Sequence, residues 1–161
     1  MTQATPEIRP ATEADLPAIL ALYAEIELGG SGIRLDAGAS PALSVARAER
    51  VFERIQRYPN YTVYVAVSGS DIIGTFALLI MDNLAHDGAP SGIVEDVVVH
   101  PSRQGQGIGK LMMLFAMDQC RSAGCYKLVL SSNLVRERAH QFYEGLGFKQ
   151  HGYSFVVSLP N

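Results

Sequence analysis

The stretch from Gly92 to Lys110 constrains the fold more than any other part of the sequence. It reads GIVEDVVVHPSRQGQGIGK, with an apolar run, a short polar turn and spaced glycines ahead of the next apolar-periodic segment. A valine run of this kind is typical of a strand covered on both faces. Glycines at the start of a helix leave backbone N–H groups open to a phosphate. The stretch therefore predicts a strand, a turn and a helix that together bind a phosphorylated ligand.

The order of the remaining segments predicts a mixed sheet flanked by helices. A hairpin over residues 61–81 implies antiparallel pairing, and the strand–helix–strand order after residue 93 implies a crossover and a parallel pair. Two helices are predicted ahead of the hairpin, over residues 12–28 and 41–57, on the basis of a capping box and apolar periodicity. Closing strands are predicted over residues 148–159.

Length and composition limit the classes of protein to which the chain can belong. The 161 residues fit a single domain, residues 1–161, and a net charge of −3 gives no reason to expect nucleic-acid binding. No apolar run approaches the roughly 20 residues that span a membrane. Cys120 and Cys125 are the only cysteines, and the four histidines are scattered, so neither a disulfide framework nor a metal site is expected. We predict that the protein is cytoplasmic and that both cysteines have a packing role.

The glycine spacing excludes two common nucleotide loops. A dinucleotide fingerprint needs glycine where the chain has Lys110, and a Walker A loop needs Ser or Thr where it has Leu111. What remains is a Q-x-x-G-x-G string from Gln104 to Gly109, flanked by the positive charges of Arg103 and Lys110. A turn that merely connects two elements is the alternative explanation.

Two motifs in this chain resemble those of the GNAT superfamily of N-acetyltransferases. One is the Q-x-x-G-x-G string, and the other is A-x-x-F-Y-x-x-x-G-F, from Ala139 to Phe148. The resemblance covers most of the chain. It implies an α+β fold of the GNAT type, with a mixed, mostly antiparallel sheet of about six to seven strands, four flanking helices and a central parallel pair that splays apart.

The resemblance also implies where acetyl-CoA, the co-substrate of the family, would bind. Three backbone positions on the central strand would pair with its pantetheine arm, the turn would hold its pyrophosphate, and a residue past the next strand would contact the arm. These positions are Val97, Val98 and Val99, then Gln104, Gly105, Gln106, Gly107, Ile108, Gly109 and Lys110, and finally Asn133.

Two side chains are implied as catalytic groups. Glu95 is the candidate general base, acting directly or through water, and Tyr143 matches the family tyrosine that contacts the cofactor and protonates the departing thiolate. Asp96 should point to the opposite face in a regular strand, although a bulge would alter that register. As the neighbour of Glu95, it is interpreted as a partner for a backbone N–H or a basic side chain.

The acceptor is less constrained than the donor. The resemblance implies direct transfer, in a ternary complex, to a primary amine of a small molecule, and part of the chain is similar to glucosamine-6-phosphate N-acetyltransferases. Arg34 and Asp36 are candidates for binding a charged acceptor. A non-catalytic acetyl-CoA-binding sensor is the alternative function. The resemblance is compatible with a homodimer that forms through the closing strands.

Overall fold

The structure, a computed structural model, describes residues 5–28, 43–157 and 159. The predicted acceptor contacts Arg34 and Asp36 lie outside these residues. The described chain forms four helices and five strands. The helices are α1 (Leu16–Leu28), α2 (Val45–Ile55), α3 (Ile108–Ser122) and α4 (Glu137–Gly145). The strands are β1 (Glu7–Pro10), β2 (Tyr61–Ser68), β3 (Asp71–Met81), β4 (Ser91–Val99) and β5 (Lys127–Leu130).

The five strands form one mixed sheet in the order in which they occur along the chain. The pairs β1–β2, β2–β3 and β3–β4 are antiparallel, and β4–β5 is parallel. The hairpin and the crossover predicted from the sequence are both present, with α3 as the crossover. The fold class is therefore confirmed as a mixed, mostly antiparallel sheet. The parallel pair, predicted to be central, lies at the edge of the described sheet because no described strand follows β5.

Helices cover both faces of the sheet, so the sheet is buried between two apolar layers. On one face, the α3 residues Met112 and Met113 are fully buried against Phe76 of β3. On the other face, Phe52 of α2 belongs to a second cluster that includes Val65 of β2. The strands pack on both sides, which explains why β3 and β4 read as apolar runs rather than as alternating patterns.

A charged cluster fixes the start of α1. The Asp15 carboxylate accepts hydrogen bonds from both Nη atoms of Arg9, at 2.7 and 2.9 Å, and from the Thr12 backbone N–H at 2.7 Å. The Arg9 guanidinium, followed by the Thr12 donors, lowers the pKa of Asp15 to about 2 against the opposing effect of burial. The capping box predicted at this position is present, and it ties β1 to the first helix.

The prediction of six to seven strands is wrong within the described residues, which form five. The closing strands expected over residues 148–159 do not form there: the described part of this segment follows α4 without pairing with any strand. Its apolar side chains are largely exposed, from 68% for Val156 to 91% for Phe155. A strand needs a neighbour for its N–H and C=O groups, and the local pattern that predicted strands here cannot supply one.

The described residues contain no cluster of three or more side chains with metal-ligand chemistry. None of the helices formed by the described residues is long and apolar enough to cross a membrane. The two cysteines are free thiols. Burial, together with the nearby Cys125, raises the pKa of Cys120 to about 12. Cys120 is part of the core beneath α3, in agreement with the packing role expected for it.

Candidate active site

A cavity opens where the parallel pair of strands separates. The β4–β5 register runs from Ser91 opposite Lys127 to Val94 opposite Leu130 and ends there. Beyond this point β4 continues to Val99, and no described strand pairs with it on that side. The gap is a cavity of about 540 Å³. It is lined by Tyr23, Val94, Glu95, Asp96, Val97, Val98, Leu130, Ser131, Arg136 and Tyr143. The splay implied by the resemblance is thus present.

A β-bulge shapes the wall of this cavity. Thr75 of β3 lies opposite Val98 and Ala77 lies opposite Glu95, so one residue of β3 faces two residues of β4. Asp96 is one of these two, and it adopts the left-handed conformation with φ of 53°. Aspartate is one of the few residues other than glycine that adopt this conformation. The bulge turns the strand locally, and it brings two consecutive carboxylates to the same cavity.

The placement of the two carboxylates differs from the sequence-based prediction. The expectation for a regular strand, that Asp96 points away from Glu95, is wrong because the bulge breaks the alternation. No ion pair or hydrogen bond within the described residues uses the Asp96 carboxylate. Burial raises the pKa of Asp96; burial and the charge of Asp96 raise the pKa of Glu95. The Glu95 side chain is exposed at the cavity, so the burial that raises its pKa is only partial.

Tyr143 approaches the same cavity from α4. Its half-buried ring packs edge-on against Phe142 and Phe148, with ring centroids 5.1 and 5.7 Å away. Burial raises the pKa of its phenol, while the charge of Arg136 acts in the opposite direction. The hydroxyl therefore stays protonated at neutral pH and is able to donate a proton.

Sequence reasoning missed two of the side chains that line the cavity. Arg136 precedes α4 by one residue, is half-buried and takes part in no ion pair within the described part of the chain. The i, i+7 spacing between Arg136 and Tyr143 was the available signal, since it places both on one helix face. Tyr23 of α1 lies on the apolar side of the helix predicted over residues 12–28. No local pattern distinguishes it from the other apolar positions there.

The glycine turn presents unpaired backbone donors outside this cavity. Gly105 and Gly107 have φ of 75° and 82°, a conformation that favours glycine. The first backbone N–H of α3 to find an acceptor is that of Leu111, which donates to Gly107 O at 3.0 Å. Among the described residues, the N–H groups of positions 105–110 have no acceptor. Free donors at a helix N-terminus suit a phosphate group.

The other predicted cofactor residues have defined local roles. Gln104 Nε2 donates to Val99 O at 3.2 Å, which ties the turn to the end of β4. Asn133 does not line the cavity: its Oδ1 accepts from the Val135 N–H at 3.1 Å. The neighbouring Ser132 Oγ is buried and lacks a hydrogen-bond partner within the described residues. Since buried hydroxyls are normally paired, Ser132 is a further position where a ligand fits.

Gly109 has a packing role that the motif did not reveal. A Cβ at this position would lie 3.2 Å from Cζ of Phe142 on α4. The missing side chain therefore lets α4 pack closely against the first turn of α3. The two motifs noted in the sequence thus meet in space at this contact.

Comparisons with known proteins agree with this geometry. The family model described as "Acetyltransferase (GNAT) family" matches residues 34–148. The chain is 32% identical to a glucosamine 6-phosphate N-acetyltransferase of Trypanosoma brucei brucei, with 95% of each chain covered. It is 30% identical to an aminoalkylphosphonate N-acetyltransferase of Salmonella typhimurium, over 95% of this chain and 91% of the relative.

Solved structures give the same result. A putative acetyltransferase from Agrobacterium tumefaciens superimposes with a TM-score of 0.84 at 29% identity, over 95% of this chain and 99% of its own. A Trypanosoma brucei acetyltransferase superimposes with a TM-score of 0.79, also at 29% identity, over 96% of this chain and 100% of its own.

Proposed function

The chain belongs to the GNAT family of acetyltransferases, and from this premise we propose how its own residues act. The protein is an N-acetyltransferase that transfers an acetyl group to the amine of a small molecule. We propose that the transfer occurs in the cavity between β4 and β5, with Glu95 as base and Tyr143 as acid. One observation carries the proposal: two elements distant in sequence bring these two groups to one cavity.

Acetyl-CoA supplies the acetyl group as a thioester. The free N–H groups of residues 105–110 are the proposed seat of its pyrophosphate, and the exposed Lys110 and the half-buried Arg103 add positive charge at the two ends of the turn. The unpaired edge of β4 at Val97, Val98 and Val99 is the proposed partner of the pantetheine arm. The orphaned Ser132 hydroxyl supports a ligand passing along this edge.

Glu95 is the proposed general base. An acceptor amine arrives largely as an ammonium near neutral pH if its pKa resembles that of lysine, about 10. The Glu95 carboxylate takes one of its protons, directly or through water, and the nitrogen lone pair then attacks the thioester carbonyl. A raised pKa brings this carboxylate closer to the operating pH, which favours proton transfer.

Tyr143 is the proposed general acid. When the C–S bond breaks, the electron pair stays on sulfur and the phenol supplies the proton that converts the thiolate to a thiol. Burial keeps the phenol protonated for this step by raising its pKa. The second proton leaves the amine nitrogen as the tetrahedral intermediate collapses, and it reprotonates the Tyr143 phenolate directly or through water. The products are the N-acetylated acceptor and free CoA, with a net release of one proton to solvent through Glu95.

A screen for CoA release over a panel of amines tests the assignment. The panel contains glucosamine 6-phosphate, glucosamine, phosphoethanolamine, ethanolamine, amino acids and an aminoglycoside. With the best acceptor, Glu95→Gln and Tyr143→Phe should each lower kcat by about 10²- to 10⁴-fold and leave the KM for acetyl-CoA nearly unchanged. Matched controls are Glu144→Gln and Tyr58→Phe, which alter exposed side chains outside the cavity. Full activity of both cavity variants would refute the roles.

The same panel tests the alternative of a non-catalytic sensor. A sensor would bind acetyl-CoA in calorimetry and release no CoA with any amine. It would also tolerate Glu95→Gln without any change in its binding. Turnover with one amine is sufficient to reject it.

We also propose that the protein is a homodimer and acts in the cytoplasm. The exposed apolar side chains of Tyr153, Phe155, Val156, Val157 and Leu159 need a cover, and the outer edge of β5 has no neighbour in the described sheet. A second copy of the chain would cover these side chains and would pair with the outer edge of β5. Light scattering should give twice the chain mass, and truncation after Gly152 should give a monomer. Free thiols at both cysteines support a reducing compartment.

A further inference from the structure

The charges in the cavity are carried by two different walls. Glu95 and Asp96 lie on the bulge of β4, whereas Arg136 lies just ahead of α4, beside Tyr143. The opposing effects of burial and of Arg136 on the pKa of Tyr143 indicate that the guanidinium is close to the phenol. The cavity therefore has a negative wall on β4 and a positive wall beside α4.

Neither wall is neutralised by an ion pair within the described residues. The Arg9–Asp15 and Arg121–Asp118 ion pairs and the His100–Glu25 contact all lie elsewhere. Arg136 is half-buried and makes no hydrogen bond through its side chain within the same part of the chain. A half-buried guanidinium without a partner is costly, because its five donors lose water without gaining acceptors.

We propose that the acceptor carries an anionic tetrahedral group, a phosphate or a phosphonate, which Arg136 binds while Glu95 and Asp96 bind the ammonium. This inference rests on the proposed function and specifies its acceptor. The guanidinium forms two parallel hydrogen bonds with such an oxyanion, a geometry that lysine does not reproduce. The anion is directed to Arg136 since the two carboxylates repel it from the other wall.

The β-bulge increases the negative charge of the β4 wall of the cavity. Asp96 contributes a second negative charge that the direct chemistry of acetyl transfer does not need. Beside Glu95, it attracts an ammonium and repels any anionic end of the acceptor. Tyr23, which lines the same wall, keeps its phenol proton because burial and the charge of Asp96 raise its pKa. Its phenol therefore stays neutral near pH 7 and adds no third negative charge to this wall.

Steady-state kinetics on matched acceptors tests the role of Arg136. The pairs are glucosamine 6-phosphate with glucosamine, and phosphoethanolamine with ethanolamine. For Arg136→Gln, the KM of the phosphorylated member of the preferred pair should rise by about 10-fold to 100-fold, as expected for the loss of a charge-assisted bidentate contact. The KM of the unphosphorylated member and that of acetyl-CoA should stay within about 2-fold of wild type. Arg136→Lys should recover part of the loss.

Arg138→Gln is the matched control. Arg138 lies on the same helix, two residues further on, but it is exposed and does not line the cavity. It should leave all four acceptor KM values unchanged. Near-ultraviolet circular dichroism and calorimetry with acetyl-CoA verify that Arg136→Gln is folded and still binds its co-substrate.

The outcomes separate this inference from the proposed function. Equal losses for phosphorylated and unphosphorylated acceptors, or a rise in the KM of acetyl-CoA alone, would overturn the role of Arg136 while the enzyme stays an acetyltransferase. Turnover of unphosphorylated amines with no preference for phosphorylated ones would overturn it as well. If no amine is acetylated, the proposed function fails. Calorimetry with glucosamine 6-phosphate and phosphoethanolamine then tests Arg136 separately: weaker binding to Arg136→Gln supports the inference, and equal binding overturns it.

Discussion

The ion pair at the start of α1 should make a measurable and pH-dependent contribution to stability. Asp15 is 7% exposed and accepts hydrogen bonds from Arg9 and Thr12. These contacts lower its pKa from an ordinary value of 3.8 to about 2. At 1.36 kcal/mol for each pKa unit, the difference of about 1.8 corresponds to about 2.4 kcal/mol of folding free energy at pH 7.

The pH dependence has a defined sign. Because folding lowers the pKa of Asp15, the stabilisation is fully present above pH 3.8 and is lost as the pH falls through about 2. With these two values, the charge-dependent contribution falls to about 1.3 kcal/mol at pH 3. Asp15→Asn removes the charge and leaves the side chain almost unchanged in size. The wild type should therefore exceed the variant in stability at pH 7 by more than it does at pH 3.

Urea unfolding followed by circular dichroism between pH 7 and pH 3 measures this contribution. The control is Glu13→Gln, which alters an exposed carboxylate two residues away that has no ion pair within the described residues. It should stay within about 0.5 kcal/mol of wild type, as surface substitutions usually do. A stability gap for Asp15→Asn that is constant from pH 7 to pH 3, or no larger than that of Glu13→Gln, would refute the reasoning.

Three other perturbations have defined outcomes. Gly92→Ala places a Cβ that overlaps Sγ of Cys120, and urea unfolding should show a loss of about 1–3 kcal/mol. Asp96→Asn removes a charge that raises the pKa of Glu95, so the acidic limb of kcat/KM should move to lower pH. Gly107→Ala forces a side chain to φ of 82°. This strain opposes the binding conformation of the turn by about 1–2 kcal/mol. Calorimetry should therefore show that acetyl-CoA binds about 5-fold to 30-fold more weakly.

Each of these variants has a matched control in the chain. A Cβ at Gly145 of α4 meets no atom within 4 Å, so Gly145→Ala should not destabilise the protein. Asp71→Asn alters an exposed carboxylate outside the cavity, and it should leave the pH profile in place. Gly88 has φ of 75° with open space around it, so Gly88→Ala should lower stability without lowering acetyl-CoA affinity. Equal behaviour of a variant and its control contradicts the corresponding prediction.

Features that depend on neighbouring residues were predictable from the sequence. The glycine turn is one, since positive φ at Gly105 and Gly107 and the exposed donors at the start of α3 are set by the backbone itself. The capping box at Thr12 and Asp15 is another. The hairpin and the crossover also follow from local patterns combined with rules of connection. These features were sufficient to predict a site for acetyl-CoA.

Features that depend on the register between distant segments were not predictable. The orientation of Asp96 follows from a bulge, and the bulge exists only through the pairing of β4 with β3. The exposed segment after Gly152 has the apolar pattern of a strand, but within the described chain it pairs with no strand. The periodicity of apolar residues predicts which side chains share a face of a strand, but it does not predict which strand pairs with it.

The sequence by itself determined the family and the reaction class through its two motifs. It also predicted the donor site, because a pyrophosphate is bound by backbone N–H groups and a short run of residues fixes their conformation. Only the tertiary structure decided the composition of the acceptor cavity. Tyr23, Asp96 and Arg136 come from three elements that meet because β5 separates from β4 after Val94. These residues are 40 to 113 positions apart in the sequence, and their proximity in space is a property of the packed fold.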